Sequence, residues 1–322
     1  MSKPFLIADI GGTNARFCLA SLDDSADGVH LFERKDYKSS EYDKLEDALN
    51  DYLGGISETD LKDACFAVAG PIKDRVVDFT NSAWMLDGNR LEKSLSLDHM
   101  MVVNDFRAMT YGTLFLPDED KEEIKPGDIL QDYPRAVLGP GTGLGLGLIV
   151  PFEGNYRVVA TEGGHVSFSP RTERQIAVLQ HLTRMFGHVT FERIVSGKGI
   201  LNTYRALCAI DSHHCDLKTP EEVTTAALEH NDQLAEETLT MFCDALGIYA
   251  GNIVLSTGAR GGVSLAGGIL PKIRDFFEAS SFRQAFSDKS PMDHYFDDIP
   301  VHLITSPNTA LIGAAKLLKD FG

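Results

Sequence analysis

A strand, a glycine-rich turn and a second strand occur twice in this chain, and nothing else restricts its fold so strongly. The first copy runs from Pro4 to Ala20, with Gly11-Gly12-Thr13-Asn14 between two apolar runs. The second runs from Ala136 to Val150, with Gly139-Pro140-Gly141-Thr142-Gly143 in the same place. Apolar segments on both sides of a Gly/Thr/Asn cluster predict β-hairpins. The recurrence predicts a duplicated core. Between the copies the pattern alternates: a strand over 29–37, an amphipathic helix marked by Tyr42, Leu45, Ala48, Leu49 and Tyr52, strands over 64–69 and 75–79, a short helix over 91–95, and a strand His99–Val103. This is an α/β pattern. After the second copy helices dominate, over 172–186, 197–210, 219–230 and 234–256. A strand over 261–268, a helix from Ile269 to Phe277, a strand over 301–304 and a final helix capped by Asn308 complete the chain. Residues 117–134, polar and acidic with three prolines, read as a surface connection and a candidate domain boundary.

The turns carry more than hairpin chemistry. Asp9 lies inside an apolar strand, where an unpaired carboxylate is costly. The turn after it offers backbone N–H groups, a threonine hydroxyl and an asparagine amide, with Arg16 just beyond. Such a turn can wrap phosphates while Asp9 holds the accompanying metal or its waters; the plain alternative is a β-turn with a surface Asp. The common nucleotide fingerprints fail. GxGxxG read from Gly139 meets Leu144 where its last glycine belongs, and Gly197-Lys198 is followed by Gly199 instead of Ser or Thr.

Four further stretches bear candidate polar groups. Val102-Val103 runs straight into Asn104-Asp105, and Phe106 to Tyr111 resumes with helical spacing, so a strand delivers an amide and a carboxylate to a sheet edge. Asp105 there is either the N-cap of that helix or a base for a substrate hydroxyl. Glu162-Gly163-Gly164-His165 turns sharply and brings Glu162 near His165, which can orient a hydroxyl or remain a loop histidine. Glu192 either favours a nearby helix N-terminus or binds sugar hydroxyls. Ala266-Gly267-Gly268, ending a strand before a helix, lets a base or a phosphate approach the backbone.

Composition narrows the setting. The 322 residues suffice for two domains, and a net charge of -17 argues against nucleic acid or an anionic membrane as main partner. No signal peptide is read at the N-terminus, and the longest apolar runs, such as 144–152, are too short to cross a bilayer. Five scattered cysteines without a CxxC point to a reduced, cytoplasmic setting. His213-His214-Cys215 is the one metal-like grouping, without further ligands in sequence.

Taken together, Ala8-Asp9-Ile10-Gly11-Gly12-Thr13-Asn14-Ala15-Arg16, Asn104-Asp105-Phe106, Gly139 to Gly145, Glu162 to His165, Gly187-His188 through Glu192-Arg193, and Ala266 to Ile269 resemble the bacterial glucokinases of the ATP-dependent, non-ROK kind, in order and along essentially the whole chain. The resemblance implies a duplicated ribonuclease H-like core of the actin/hexokinase type, with two domains flanking a cleft: 1–110 plus 301–322, and 111–300. It implies Asp105 as catalytic base and Asn104, Asp105, Glu162, His165 and Glu192 as glucose contacts. It implies that Ala8, Asp9, Ile10, Gly11, Gly12, Thr13, Asn14, Arg16, Gly141, Thr142 and Gly143 hold the phosphates of ATP, and that Gly267 and Gly268 lie beside the adenosine. Mg²⁺ would come with ATP and reach the protein at Asp9, directly or through water. No zinc is expected, because Val166 to Pro170 contains none of the cysteines that ROK kinases carry after the histidine. Pro140 departs from the pattern, where a smaller residue is expected. Family likeness also implies a homodimer. Two other functions use such a core: a chaperone- or actin-type ATPase, and a non-catalytic sugar-sensing regulator.

Overall fold

The computed structural model describes residues 3–23, 28–58, 60–79 and 84–322. The chain forms two compact units, Met1–Asp118 with Ser306–Gly322, and Glu119–Thr305.

In the first unit, strands β1 (Phe5–Ile10), β2 (Asn14–Leu22), β3 (Val29–Lys38), β4 (Asp63–Val68) and, beyond the short hairpin β5 (Val76–Asp78)–β6 (Met85–Asp87), β7 (His99–Asn104) build a five-stranded sheet of order β3-β2-β1-β4-β7. The β1–β2 and β2–β3 pairs are antiparallel; β4 and β7 run parallel to β1. Leu6, Ile7, Ala8 and Ile10 of β1 and Ala64 to Val68 of β4 are fully buried, as expected of central strands covered on both faces. Helix α1 (Leu45–Gly54) covers the sheet with Leu45, Ala48, Leu49 and Tyr52. Tyr42, expected in that helix, is extended and precedes it. Helices α2 (Gly88–Ser94) and α3 (Asp105–Gly112) flank β7. The C-terminal helix Thr309–Phe321 crosses α3 where Gly112 faces Gly313. A Cβ on either would run into the other helix's backbone, at Thr309 O or Ala108 O. Tyr111 Oη donates to Asp320 Oδ2 at 2.5 Å on the same seam. Asn308 occupies the N-cap position of the C-terminal helix without capping it: its side-chain oxygen accepts instead from Arg34 Nη1 on β3.

The second unit repeats the strand order. Strands β8 (Lys121–Lys125), β9 (Arg135–Pro140), β10 (Leu144–Phe152), β11 (Asn155–Thr161), β12 (Val263–Leu265) and β13 (Val301–Ile304) form the sheet β11-β10-β9-β12-β13-β8. β9 to β11 form an antiparallel meander, and β12 and β13 run parallel to β9. β8 is an addition, antiparallel to β13. It lies inside the stretch expected to be a loop: Lys-Glu-Glu-Ile-Lys buries only Ile124, so its charged faces mask the strand pattern. The expected division at 301 moves to 306, because β13 hydrogen-bonds between β12 and β8 and so belongs to the second sheet, and the one at 110 lies at 118. Helices α4 (Glu173–Phe186), α5 (Gly197–Ile210), α6 (Pro220–Leu228) and α7 (Gln233–Thr257) supply the rest of the core, with two short helices, α8 (Arg274–Ala279) and α9 (Phe282–Ser287). The helix expected from Ile269 starts as a 3₁₀ turn, Leu270–Ile273, around Pro271. At 25 residues α7 is long and apolar enough to cross a membrane, unlike the shorter runs singled out in the sequence. With 78% of its most apolar window buried, it is the central helix of this unit, packed against α5, α6 and α9.

Candidate active site

The first glycine turn joins β1 to β2. Ile10 faces Ala15 as the last β1–β2 pair, so Gly11 to Asn14 lie beyond it, with Asn14 already pairing β3. Gly11 N–H donates to Asn14 O at 2.8 Å, and Asn14 Nδ2 donates to Thr13 Oγ1 at 3.1 Å. Ser39, just past β3, braces the loop from below: its N–H donates to Thr13 O at 3.0 Å and its hydroxyl to Gly12 O at 2.9 Å. Two carbonyls are thereby occupied within the protein, while Thr13 and Asn14 stay exposed. Ala8 and Ile10, expected among the nucleotide contacts, are side chains of the core, and Ile10 O accepts from Ala69 N–H at 2.9 Å.

Asp9 and Arg16 are register partners across the hairpin, and Arg16 Nη1 lies 2.6 Å from Asp9 Oδ2. The row continues across the sheet. Arg16 Nε is 3.5 Å from Asp36 Oδ2, and Arg34 Nε is 2.9 Å from Asp36 Oδ1. Burial pushes the Asp9 carboxyl above the usual carboxylate range, against the pull of Arg16. The Arg34 hydrogen bond holds Asp36 below that range.

At the end of β7, the helix cap is Asn104 and not its neighbour: Asn104 Oδ1 accepts from Arg107 N–H at 3.0 Å. Asp105 is the first residue of α3, is half-buried, and its Oδ1 accepts from Phe106 N–H at 2.7 Å. Asn104 thus takes the capping role that the sequence left open for Asp105.

In the second unit the turn between β9 and β10 is one residue shorter, since Pro140 faces Leu144 and only 141–143 remain in the loop. Gly141 N–H donates to Gly143 O, and Gly197 N–H, at the start of α5, donates to Gly141 O, both at 2.8 Å. Gly267 has φ +136° and sits where a Cβ would lie 2.5 Å from Pro140 O, whereas Gly268 faces open space. Gly267 is therefore pressed against the entry to this turn, with Gly268 open beside it.

Glu162 and His165 lie beside Glu192, which reaches the same turn. The segments that carry them are joined by backbone bonds, Phe168 N–H to Val189 O and Phe191 N–H to Val166 O, each 3.0 Å. Gly163 and Gly164 allow the Glu162–His165 turn to lie directly on β10, where side chains would meet Leu146 and Leu144 O. His165 stands between two carboxylates, Nε2 3.9 Å from Glu162 Oε2 and Nδ1 4.0 Å from Glu192 Oε1. Glu192 lies in the 3₁₀ turn Phe191–Arg193, and its Oε2 accepts the Leu144 N–H at 2.9 Å. Ser196, the N-cap of α5, donates its hydroxyl to Glu192 O at 2.7 Å and accepts from Gly199 N–H at 2.9 Å. Ser39 and Ser196 brace the turns and were not singled out in the sequence, and Gly197 entered only as a failed P-loop match; a lone serine carries no signal until its loop is closed.

Elsewhere, Nε2 of the exposed His214 lies 3.3 Å from Asp216, and Cys215 Sγ faces Leu217 O at 3.9 Å. No group of three or more ligating side chains placed to hold a metal ion occurs among the described residues.

The family model for glucokinase matches residues 6–321. A glucokinase of Hahella chejuensis is 41% identical over 315 residues, spanning 98% of this chain and 97% of that one. A glucokinase of Chromobacterium violaceum is 40% identical over 317 residues, spanning 98% and 90%. Among solved structures, a glucokinase from an Antarctic psychrotroph matches with a TM-score of 0.87 and 34% identity over 99% of this chain and all of that one. A glucokinase from Balamuthia mandrillaris in complex with glucose, at 23% identity over 98% and 94% of the two chains, shares the fold with a TM-score of 0.79. With the duplicated sheet, the two glycine turns and this agreement along nearly the full length, the chain belongs to the glucokinase family.

Proposed function

We propose that this hexokinase-type sugar kinase transfers the γ-phosphoryl group of Mg·ATP to the 6-hydroxyl of D-glucose, with Asp105 as general base. The reading is carried by the grouping of Glu162, His165 and Glu192, of which Glu192 bonds Leu144 N–H at the end of the Gly141–Gly143 turn; groups suited to hydroxyls thus lie close to a turn suited to phosphate. Glu162, His165 and Glu192 hold the ring hydroxyls together with Asn104, whose oxygen also caps α3. A site built to pair each hydroxyl rejects sugars that leave a buried polar group unmatched. Asp105 accepts the proton of the attacking hydroxyl. Phosphoryl transfer passes through a loose transition state, so positioning and charge neutralisation supply most of the rate. The amides of both turns, with Thr13, Asn14 and Thr142, serve that end, and Gly267-Gly268 leaves room for the adenosine.

The residues fit a magnesium ion that arrives with the nucleotide. Mg²⁺ keeps several waters and takes one or two carboxylates plus substrate phosphates; Asp9 offers one carboxylate beside the first turn, and the described residues hold no ready-made cage. Bound there, the ion would neutralise charge on the phosphates. Arg16, paired to Asp9, keeps that carboxylate in place. The same reading sets the enzyme in the cytoplasm as a homodimer, which sedimentation at several concentrations tests.

A panel of hexoses with Mg·ATP, read as ADP formed, tests the reading. Glucose-dependent ADP release is expected; sugar-independent hydrolysis would mark an ATPase instead, and no release with any sugar would leave a binding protein.

A further inference from the structure

One side chain serves two neighbourhoods at once. Glu192 Oε2 accepts the backbone N–H of Leu144, the residue that closes the second glycine turn, at 2.9 Å. Its other oxygen, Oε1, points to the His165 side, 4.0 Å from Nδ1, beyond hydrogen-bond range. Gly143 is shaped to this contact: a Cβ there would lie 2.6 Å from Glu192 Oε2. A second bond joins the turn to the same segment, Gly197 N–H to Gly141 O, and Ser196 braces that segment by holding the Glu192 carbonyl. The Gly141–Gly143 loop is thus held through Glu192 and the cap of α5, within one unit.

We propose that Glu192 couples the sugar subsite to the phosphate loop: Oε1 takes a glucose hydroxyl while Oε2 fixes Leu144 N–H, so sugar binding sets the shape in which the loop meets a nucleotide. The proposal rests on the reading of Glu192 as a glucose contact. It needs no movement of one unit against the other. Charge-assisted bonds from a backbone N–H to a carboxylate are directional and stronger than neutral ones, and a carboxylate has lone pairs enough to serve both partners. The coupling must be reciprocal, because each ligand changes the other's affinity by the same factor.

The test uses the full chain with glucose and a non-hydrolysable ATP analogue with Mg²⁺. Calorimetry of the wild type should show glucose tightening the analogue about fivefold or more, and the analogue tightening glucose equally. Amide NMR should show the Leu144 and Gly143 signals moving when glucose alone is added. In Gly143→Ala, which displaces Glu192 Oε2 while leaving every sugar-binding side chain present, each ligand's affinity alone is measured first, because Gly143 belongs to the proposed phosphate loop, and the mutual tightening should fall to below about twofold. Glu192→Asp, too short to reach both partners, should lose the coupling in the same way, and circular dichroism checks that each variant is folded. Full mutual tightening in Gly143→Ala, or a Leu144 amide unmoved by saturating glucose, overturns the proposal and leaves another route of coupling. Failure of glucose to bind the wild type, or unchanged glucose affinity in Glu192→Ala, would instead sink the assignment of Glu192 on which it stands.

Discussion

The two glycine turns hold the same station in two sheets of the same strand order, yet they are made of different chemistry. At the first, the strands themselves are charged: Asp9 faces Arg16, Arg16 faces Asp36, and Arg34 extends the row to Asn308. At the second, the position that pairs one residue back from the turn is glycine on both strands, Gly139 opposite Gly145, and the charge comes from outside the sheet through Glu192. The ends of the following strands differ as well. β7 ends in Asn104 and leads into Asp105, whereas β13 ends in Ile304 and leads into Thr305. Duplication preserved the backbone frame and let each half specialise. One half holds the carboxylate proposed for the metal side and the proposed base; the other presents bare backbone and the groups proposed to bind hydroxyls.

That contrast can be broken most sharply at the strand ends. Asp105→Ala should lower kcat by about a hundredfold to ten-thousandfold with glucose binding largely retained, as for loss of a general base. The matching change in the second unit, Thr305→Ala, should leave steady-state rates near those of the wild type. Equal losses would mean that the asymmetry assigned to the two strand ends is wrong.

A smaller but still large effect is expected where the second turn is backed by backbone. Gly267→Ala forces a side chain into φ +136° and against Pro140 O, so thermal denaturation should show a loss of about 1–3 kcal/mol, with a raised KM for ATP. At the first turn, Gly11→Ala meets only Asn14 O at 3.7 Å, and its melting temperature should barely change. Next comes Asp9→Asn, which removes the carboxylate proposed to meet the metal. Its Mg²⁺ dependence should shift to higher concentration, and kcat/KM for ATP should fall about tenfold, a change of about 1.4 kcal/mol. An unchanged Mg²⁺ titration would remove the metal role from the first hairpin. The smallest change belongs to Asp36→Asn. Asp36 is more than half exposed, and exposed ion pairs contribute about 0–1 kcal/mol; denaturant midpoints should move little.

Much of this contrast was legible in the chain. The hairpins, the strand before Asn104 and the run of helices announced themselves by apolar periodicity, which is a local property. The strand at 121–125 did not, because lysine and glutamate occupy all but one of its positions and its identity comes from pairing with β13. Asn308 sits at the cap position that sequence predicts, but its amide is claimed by Arg34, 274 residues away in sequence. The capping role at α3 went to Asn104, which is extended and accepts from Arg107 N–H; two adjacent residues that both favour caps do not show in sequence which of them takes the role. Glu192 was visible as a glutamate near a helix start and, through the resemblance, as a sugar contact, but not as a brace of the second turn. Its bond to Leu144 depends on two loops joined through Phe168 and Phe191, a long-range event that single-sequence reading does not reach.

The interlock of Gly112 with Gly313 also bears on biosynthesis. Everything from Glu119 to Thr305 leaves the ribosome before the helix that fills the groove along α3. The earlier-made lobe must wait, its seat for that helix vacant, while the later-made one gathers its own core. Vectorial synthesis therefore finishes the two halves in the reverse of the order in which they begin.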